Sequence, residues 1–339
     1  MDVSARRVFR LSLTVSLSLA IAYGMALEFP YLAPIFGFML SAKPQPPMGL
    51  KGLLGLSLLL SLTLGIGLLL IPILINYPLT GLVLVGLGLF LSNYISIHLG
   101  KGPVGALMTM GITLISAAGY ASFGLAVDLI SGLIVGVTVA VVCQWIIYPF
   151  FPEDDNAPAV PDPVTPESQS IWIAARATLI IMPTYLLGLI NPSVYLSTIM
   201  KAVNLGQQAS ESHSKDAGKE LLGSTMAGGI LSMCIWFGLS IAPNLWMFFL
   251  WILLFSLYVS AKFYGVSPSR FQPSYWSSVL ITTLILVGPA VADSANGKDV
   301  YKAFAIRISL FVAVAIYAWL AIKVLDYWKN RKAHSPMPE

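Results

Sequence analysis

Four basic side chains sit inside apolar runs, where ionisable residues are costly unless they meet a partner or line a cavity. Arg176, in the run 169–190, lies about seven residues in, roughly 10 Å along a helix. Arg307 lies similarly deep in the run 300–326, which the chain enters from the opposite side, and Arg10 stands near the start of the run 8–27. A guanidinium presents forked donors that match a carboxylate in two parallel hydrogen bonds. Arg176, Arg307 and Arg10 are therefore candidates for holding an organic anion; the alternative is that they snorkel to headgroups or pair with an acidic neighbour. Lys201, in "TIMKAVN", either faces a water-filled cavity or marks the cytoplasmic end of its segment. Asp128, in "LAVDLISGLIVG", is the acidic candidate for proton coupling, since burial raises a carboxyl pKa toward the working range. The alternative is an ordinary ionised residue at the periplasmic end. Glu28 and Asp293, at outer boundaries, read as interfacial.

The elements that position these groups follow from composition. Of 339 residues, 57% are hydrophobic and 10% charged, and the mean hydropathy is +0.82. These values place the chain among polytopic membrane proteins and exclude a soluble domain with its own core. The net charge of +4 is scattered at span ends rather than gathered on one face, so no nucleic-acid partner is expected. Membrane lipid is the partner the composition requires. Cys143 and Cys234 lie in apolar runs without CxxC spacing and read as inert thiols.

The apolar runs are 8–27, 30–42, 52–76, 79–97, 104–120 and 124–150, then 169–190, 193–205, 220–241, 244–261, 274–291 and 300–326. The expectation is all-α, about twelve helices in two parallel six-span repeats, with the first run an uncleaved span rather than a signal peptide. The repeats cover 1–150 and 169–328, separated by an acidic, Pro-rich linker at 151–168 and followed by a tail at 329–339. The linker, with Asp154 and Asp155, reads as solvated and extended. Both termini are placed in the cytoplasm because Lys43, Lys51, Lys101, Lys215, Lys219, Lys262, Arg270, Lys329, Arg331 and Lys332 then fall inside, with Lys298 the exception.

Three matches in the same order support duplication: Arg10 with Arg176, Tyr31-Leu32 with Tyr195-Leu196, and "KGLLG" from Lys51 with "KELLG" from Lys219. The second run of each half is short. The stretch Tyr31 to Ala42 would rise only about 18 Å against a hydrocarbon core of about 30 Å. Paired short elements in two repeats point to a binding site, because their backbone ends can face a cavity. The expectation is that 30–42 and 192–205 flank a substrate path, with Tyr31, Phe36, Phe38 and Tyr195 as its aromatic surface; the alternative is tilted helices whose aromatics pack in the core. Gly132, Gly136, Gly228 and Gly229 read as sites of close helix packing. Trp145, Tyr148 and Trp328 read as interfacial anchors.

Arg10, the stretch Pro30-Tyr31-Leu32-Ala33-Pro34 and the glycine-rich run from Leu50 resemble the fusaric acid resistance and aromatic acid exporter family of inner-membrane transporters. Arg176, the Tyr195 segment and Gly223-Ser224-Thr225 repeat the pattern. Leu32 stands where the family has tryptophan, Lys51 and Lys219 lie one residue before the family's turn arginine, and the large cytoplasmic domains of most members have no counterpart. The resemblance implies a compact, divergent proton-driven exporter of small aromatic or other organic acids and drugs, working with a periplasmic adaptor of the membrane-fusion type.

The leading expectation is thus a secondary transporter in a bacterial inner membrane, with a small organic anion and protons as its ligands, no cofactor, and a homo-oligomer as an open possibility. A passive organic-anion channel and a non-transporting assembly subunit are the alternatives. An enzyme is not expected, because no clustered carboxylates or histidines stand ready for acid–base or metal work, and His98, His213 and His334 are isolated.

Overall fold

A computed structural model describes residues 2–100, 102–153, 167–211 and 217–333. The first half comprises α1 (Val3–Gly24), α2 (Leu32–Ser41), α3 (Leu50–Asn76), α4 (Pro78–His98), α5 (Gly102–Met110), α6 (Ser116–Ala121) and α7 (Phe123–Ile147). The second comprises α8 (Glu167–Ile190), α9 (Pro192–Glu211), α10 (Ala217–Ile241), α11 (Leu245–Phe263), α12 (Pro273–Ala295) and α13 (Val300–Ala333). A π turn at Gly111–Ile115 joins α5 and α6 into one rod, so each half carries six. Among the described residues nine rods are long and apolar enough to cross a membrane, and the protein is an all-helical polytopic membrane protein. Lys101, Asp154, Asp155, His213, Lys215 and His334 lie outside the described residues, as do the side chains of Trp328, Lys329, Arg331 and Lys332.

The three rods outside those nine, α1, α2 and α9, are held in the interior by their chemistry. Along α1 the hydroxyls of Ser12, Thr14, Ser16 and Ser18 are fully buried. Ser16 Oγ donates to the Ser12 carbonyl at 2.8 Å and Ser18 Oγ to that of Val15 at 2.9 Å, a local bonding that lets small polar residues sit without water. Ser12 Oγ also meets Ser260 Oγ of α11 at 3.2 Å. The outer rods do the reverse: Leu54, Leu58, Leu62 and Leu69 of α3 point outward, as a chain solvated by lipid requires.

Helix α2 is short because prolines bracket it. Pro34 falls in the first turn, where a missing N–H costs nothing, and Pro44, Pro46 and Pro47 follow its end. Its ten residues reach only about 15 Å. Helix α9 corrects the expected symmetry: it runs for twenty residues, Pro192–Glu211, instead of stopping near Leu205. The apolar run does end there, but Gln208, which follows it, is buried in protein.

The halves interlock with approximate two-fold symmetry. The first rod of each packs on the fourth rod of the other, α1 on α11 and α8 on α4, while α2 reaches α12 and α9 reaches the α5–α6 rod. Gly132 and Gly136 receive Phe29 and the Leu32–Ala33 backbone, and Gly228 receives Thr282. A close crossing joins α3 to the π turn: a Cβ on Gly67 would lie 2.0 Å from the Gly111 carbonyl oxygen. Because Arg7 and Arg10 at the start of α1 bond Glu153, just past α7, both ends of the first half share one face of the bundle, here the N-terminal face.

Candidate anion site in the middle of the bundle

Lys201 is the centre of the candidate site. It sits nine residues into α9 and is fully buried, about 13 Å from the helix start and therefore near the middle of a span. Its Nζ donates to Thr282 Oγ1 at 2.7 Å and to Ser278 Oγ at 3.4 Å, both on α12. Those hydroxyls have their own protons committed: Thr282 donates to the Ser278 carbonyl and Ser278 to Asn204 Oδ1 at 2.9 Å. Their lone pairs are thus turned toward the lysine. An ammonium has three N–H donors, and two are accounted for.

The polar face continues along α9 at spacings of three and four, through Thr198, Lys201, Asn204 and Gln208. On the N-terminal side Ser224 Oγ stands 3.3 Å from both Gln208 Oε1 and Ser278 Oγ. Two buried atoms of this face have no partner among the described residues, Thr198 Oγ1 one turn to one side of Lys201 and Gln208 Nε2 two turns to the other. No carboxylate among the described residues reaches the ammonium, whose bonded partners are those two hydroxyls. A buried charge costs several kcal/mol unless compensated, so the site is built to take a negative charge or to lose its proton.

The other basic candidates are differently placed. Arg307 is bound by Asp293, Nη2 to Oδ2 at 2.6 Å, and Lys298 lies 3.5 Å from Oδ1. Asp293 is therefore a buried partner rather than the interfacial residue expected from its boundary position. Tyr31 is within electrostatic reach of Arg307 and packs on Gly288, whose carbonyl accepts from Tyr23 Oη at 3.4 Å. Arg10 donates to Glu153 Oε2 at 2.8 Å and lies over the Tyr148 ring, with its carbon 5.6 Å from the centroid. Arg7 donates from Nε to Oε1 of the same carboxylate at 2.7 Å, and Arg6 to the Pro152 carbonyl at 3.0 Å. The described start of the linker, 151–153, is thus fastened to α1. Burial works to raise the Glu153 carboxyl, but the hydrogen bonds and charges of Arg7 and Arg10 outweigh it and hold it below its ordinary value. Arg176 is buried in α8 and partnered.

The remaining candidates divide. Asp128 is exposed near the start of α7, so the burial on which a coupling role rested is missing: its face of α7 looks outward. Phe36 and Phe38 are buried in the core, Phe38 edge-on to Phe263 at 5.9 Å. They pack between helices instead of lining a path. Tyr31 and Tyr195 are half-buried. Trp145 Nε1 donates to the Met48 carbonyl at 2.7 Å and Tyr148 faces Arg10, so both act within the protein.

The hydroxyl and amide neighbours of Lys201 do not stand out in the sequence. Their signals are the Ser278/Thr282 pair at i and i+4 within a long span, and the polar spacing along α9.

A family described as "Protein of unknown function (DUF2955)" matches residues 7–147. The match covers nearly all of α1 to α7 and stops before the half that holds Lys201. No curated protein and no solved structure matches the chain.

Proposed function

We propose that this protein is a secondary transporter of small organic anions, aromatic carboxylates foremost, and that Lys201 is the group that binds the carboxylate. The observation that carries this reading is a fully buried ammonium near mid-span whose bonded partners, among the described residues, are two hydroxyls. A carboxylate entering there would neutralise the ammonium, use its third donor, and accept from Gln208 Nε2, while Ser224 and Asn204 line the way toward the N-terminal face. Tyr31 and Tyr195, on the equivalent helices α2 and α9, supply aromatic surface nearer the opposite face.

The resemblance to aromatic acid exporters extends the proposal to efflux across a bacterial inner membrane with a periplasmic adaptor and protons in the cycle. In this reading both termini are cytoplasmic, which the distribution of Lys and Arg supports. Arg10 and Arg307 act as framework in this reading, because each already holds a carboxylate of the chain.

The test is flux of labelled benzoate in proteoliposomes. Facilitated flux above that of empty liposomes is expected for the wild type and for Asp128→Asn, and loss to the empty-liposome level for Lys201→Met. Equal flux in Lys201→Met and wild type would remove Lys201 from the function.

A further inference from the structure

The surroundings of Lys201 also decide the sign of any coupling between proton and anion. We propose that proton and anion bind at Lys201 together rather than in opposition, so that each anion crosses with a proton in the same direction. This rests on the transporter reading and adds the coupling rule.

Linkage supplies the argument. An anion beside Lys201 favours the ammonium, and by reciprocity the ammonium favours the anion by the same factor. In the loaded state the lysine is –NH3+ against the anion. When the anion leaves, the ammonium keeps two neutral hydroxyls, which do not repay several kcal/mol of lost solvation. The proton then leaves with the anion, and the empty carrier returns as –NH2. Each cycle moves one proton with one anion, so for a monoanion the cycle is electroneutral.

Exchange in opposite directions needs another arrangement: a carboxylate of the protein that holds the lysine as a salt bridge when the site is empty and is displaced by the substrate. Among the described residues the helices packed on α9 do not supply it. On α8, Tyr185 turns its hydroxyl to Ser116 Oγ at 3.0 Å, and Arg176 is a cation already partnered. On α10, Glu220 lies about three turns from Lys201, since Ser224, one turn further along, is level with Gln208, itself two turns away; it is partnered, as is Lys219. On α12, Tyr275 is a phenol one turn toward the N-terminal face, and Asp293 lies near the opposite face, bound to Arg307 of α13. On α13, which also packs on α9, Tyr317 donates to the Leu179 carbonyl at 2.8 Å and Lys323 lies over the Trp319 ring, and the described side chains of this helix include no carboxylate. The α5–α6 rod brings hydroxyls level with the site, and its titratable residue, Tyr120, is exposed at the far end. Efflux by such a site follows the gradient of accumulated acid, and the inward proton gradient opposes it. This reverses the proton-driven export that the family resemblance implies.

Carboxylic acids cross lipid unaided in their neutral form, so the probe is benzenesulfonate, which stays ionised. Proteoliposomes holding a trapped pH dye receive a gradient of this anion, and its uptake is measured in parallel. Interior acidification is expected to accompany uptake, proton for anion. In purified protein, tryptophan fluorescence should show benzenesulfonate affinity falling about tenfold per pH unit once the site lysine titrates. In Lys201→Arg, where the charge is permanent, the remaining affinity should not depend on pH. Interior alkalinisation during uptake, or uptake without proton movement, would overturn the coupling rule and leave the transporter reading standing. Absence of flux for both benzoate and benzenesulfonate would overturn the transporter reading and the coupling rule together.

Discussion

Gly37 and Lys201 occupy the same place in the two halves. Setting Tyr31-Leu32 against Tyr195-Leu196 brings them into register, yet one position is backbone against backbone and the other carries a fully buried lysine. A Cβ on Gly37 would meet Ser18 Oγ at 2.8 Å, with the Thr14 carbonyl oxygen at 3.5 Å. There α1 and α2 close on each other, and small hydroxyls bonded to their own helix fill the seam. At Lys201, α12 turns hydroxyl lone pairs toward the ammonium. The first half therefore closes the interior where the second keeps a charge-bearing site, and the site is single despite the duplication. The same contrast marks the arginines: Arg10 holds the chain's own Glu153, whereas Lys201 holds neutral hydroxyls.

The sharpest way to break the contrast is to exchange the two residues. Gly37→Lys puts a second ammonium where there is no room for its side chain, and the expected result is loss of folded, monodisperse protein on size exclusion. Lys201→Met removes a buried charge at similar length, and its melting temperature in detergent should match or exceed that of the wild type. Equal tolerance at both positions would mean that they are not different environments.

The helix crossings offer a graded comparison. In the first half a Cβ on Gly67 would lie 2.0 Å from a backbone oxygen; in the second, a Cβ on Gly228 would lie 2.9 Å from the Val279 carbonyl oxygen and 2.7 Å from Thr282 Cβ. Gly67→Ala is expected to destabilise by about 3 kcal/mol or more and Gly228→Ala by about 1–2 kcal/mol, the range for overpacking. Thermal unfolding of the two variants side by side reads the difference.

The latch at Glu153 should show a smaller effect, with a defined pH signature. Its folded pKa is depressed, so its contribution is present above the unfolded value and is lost as pH falls through the folded value. Glu153→Gln should cost on the order of 2 kcal/mol at neutral pH, as expected for charge-assisted hydrogen bonds. The gap to wild type should narrow on acidification below about pH 4, the ordinary carboxylate range. A gap that stays unchanged well below that pH would remove the carboxylate charge from the account. Asp128→Asn comes last: with its side chain outward on α7, the expected change in melting temperature and in benzoate flux is nil within error.

Much of the architecture is legible in the order of the amino acids. Prolines around Leu32–Ser41 announce a short helix, the six-plus-six runs announce the rods, and the intramembrane basic residues mark Lys201 along with three others. Three points are not legible there. The end of apolar character after Leu205 resembles a helix end, because a polar stretch bound for a protein interior looks the same in sequence as one bound for water. Glu153 resembles the rest of an acidic linker, because its partners Arg7 and Arg10 lie at the other end of the first half. Phe36 and Phe38 resemble a binding surface, because aromatic composition is shared by cores and sites.

By itself the sequence determined the solvent of this protein, the number and order of its rods, the duplication and the brevity of α2. These rest on local properties: hydropathy over a span, the missing N–H of proline, and repeated short motifs. Only the tertiary structure decided what three of the intramembrane basic residues meet. Arg10 finds Glu153, Arg307 finds Asp293, and Lys201 finds Ser278 and Thr282. The physical reason is that the cost of a buried charge is set by whatever surrounds it, and those neighbours come from other helices, distant in the chain.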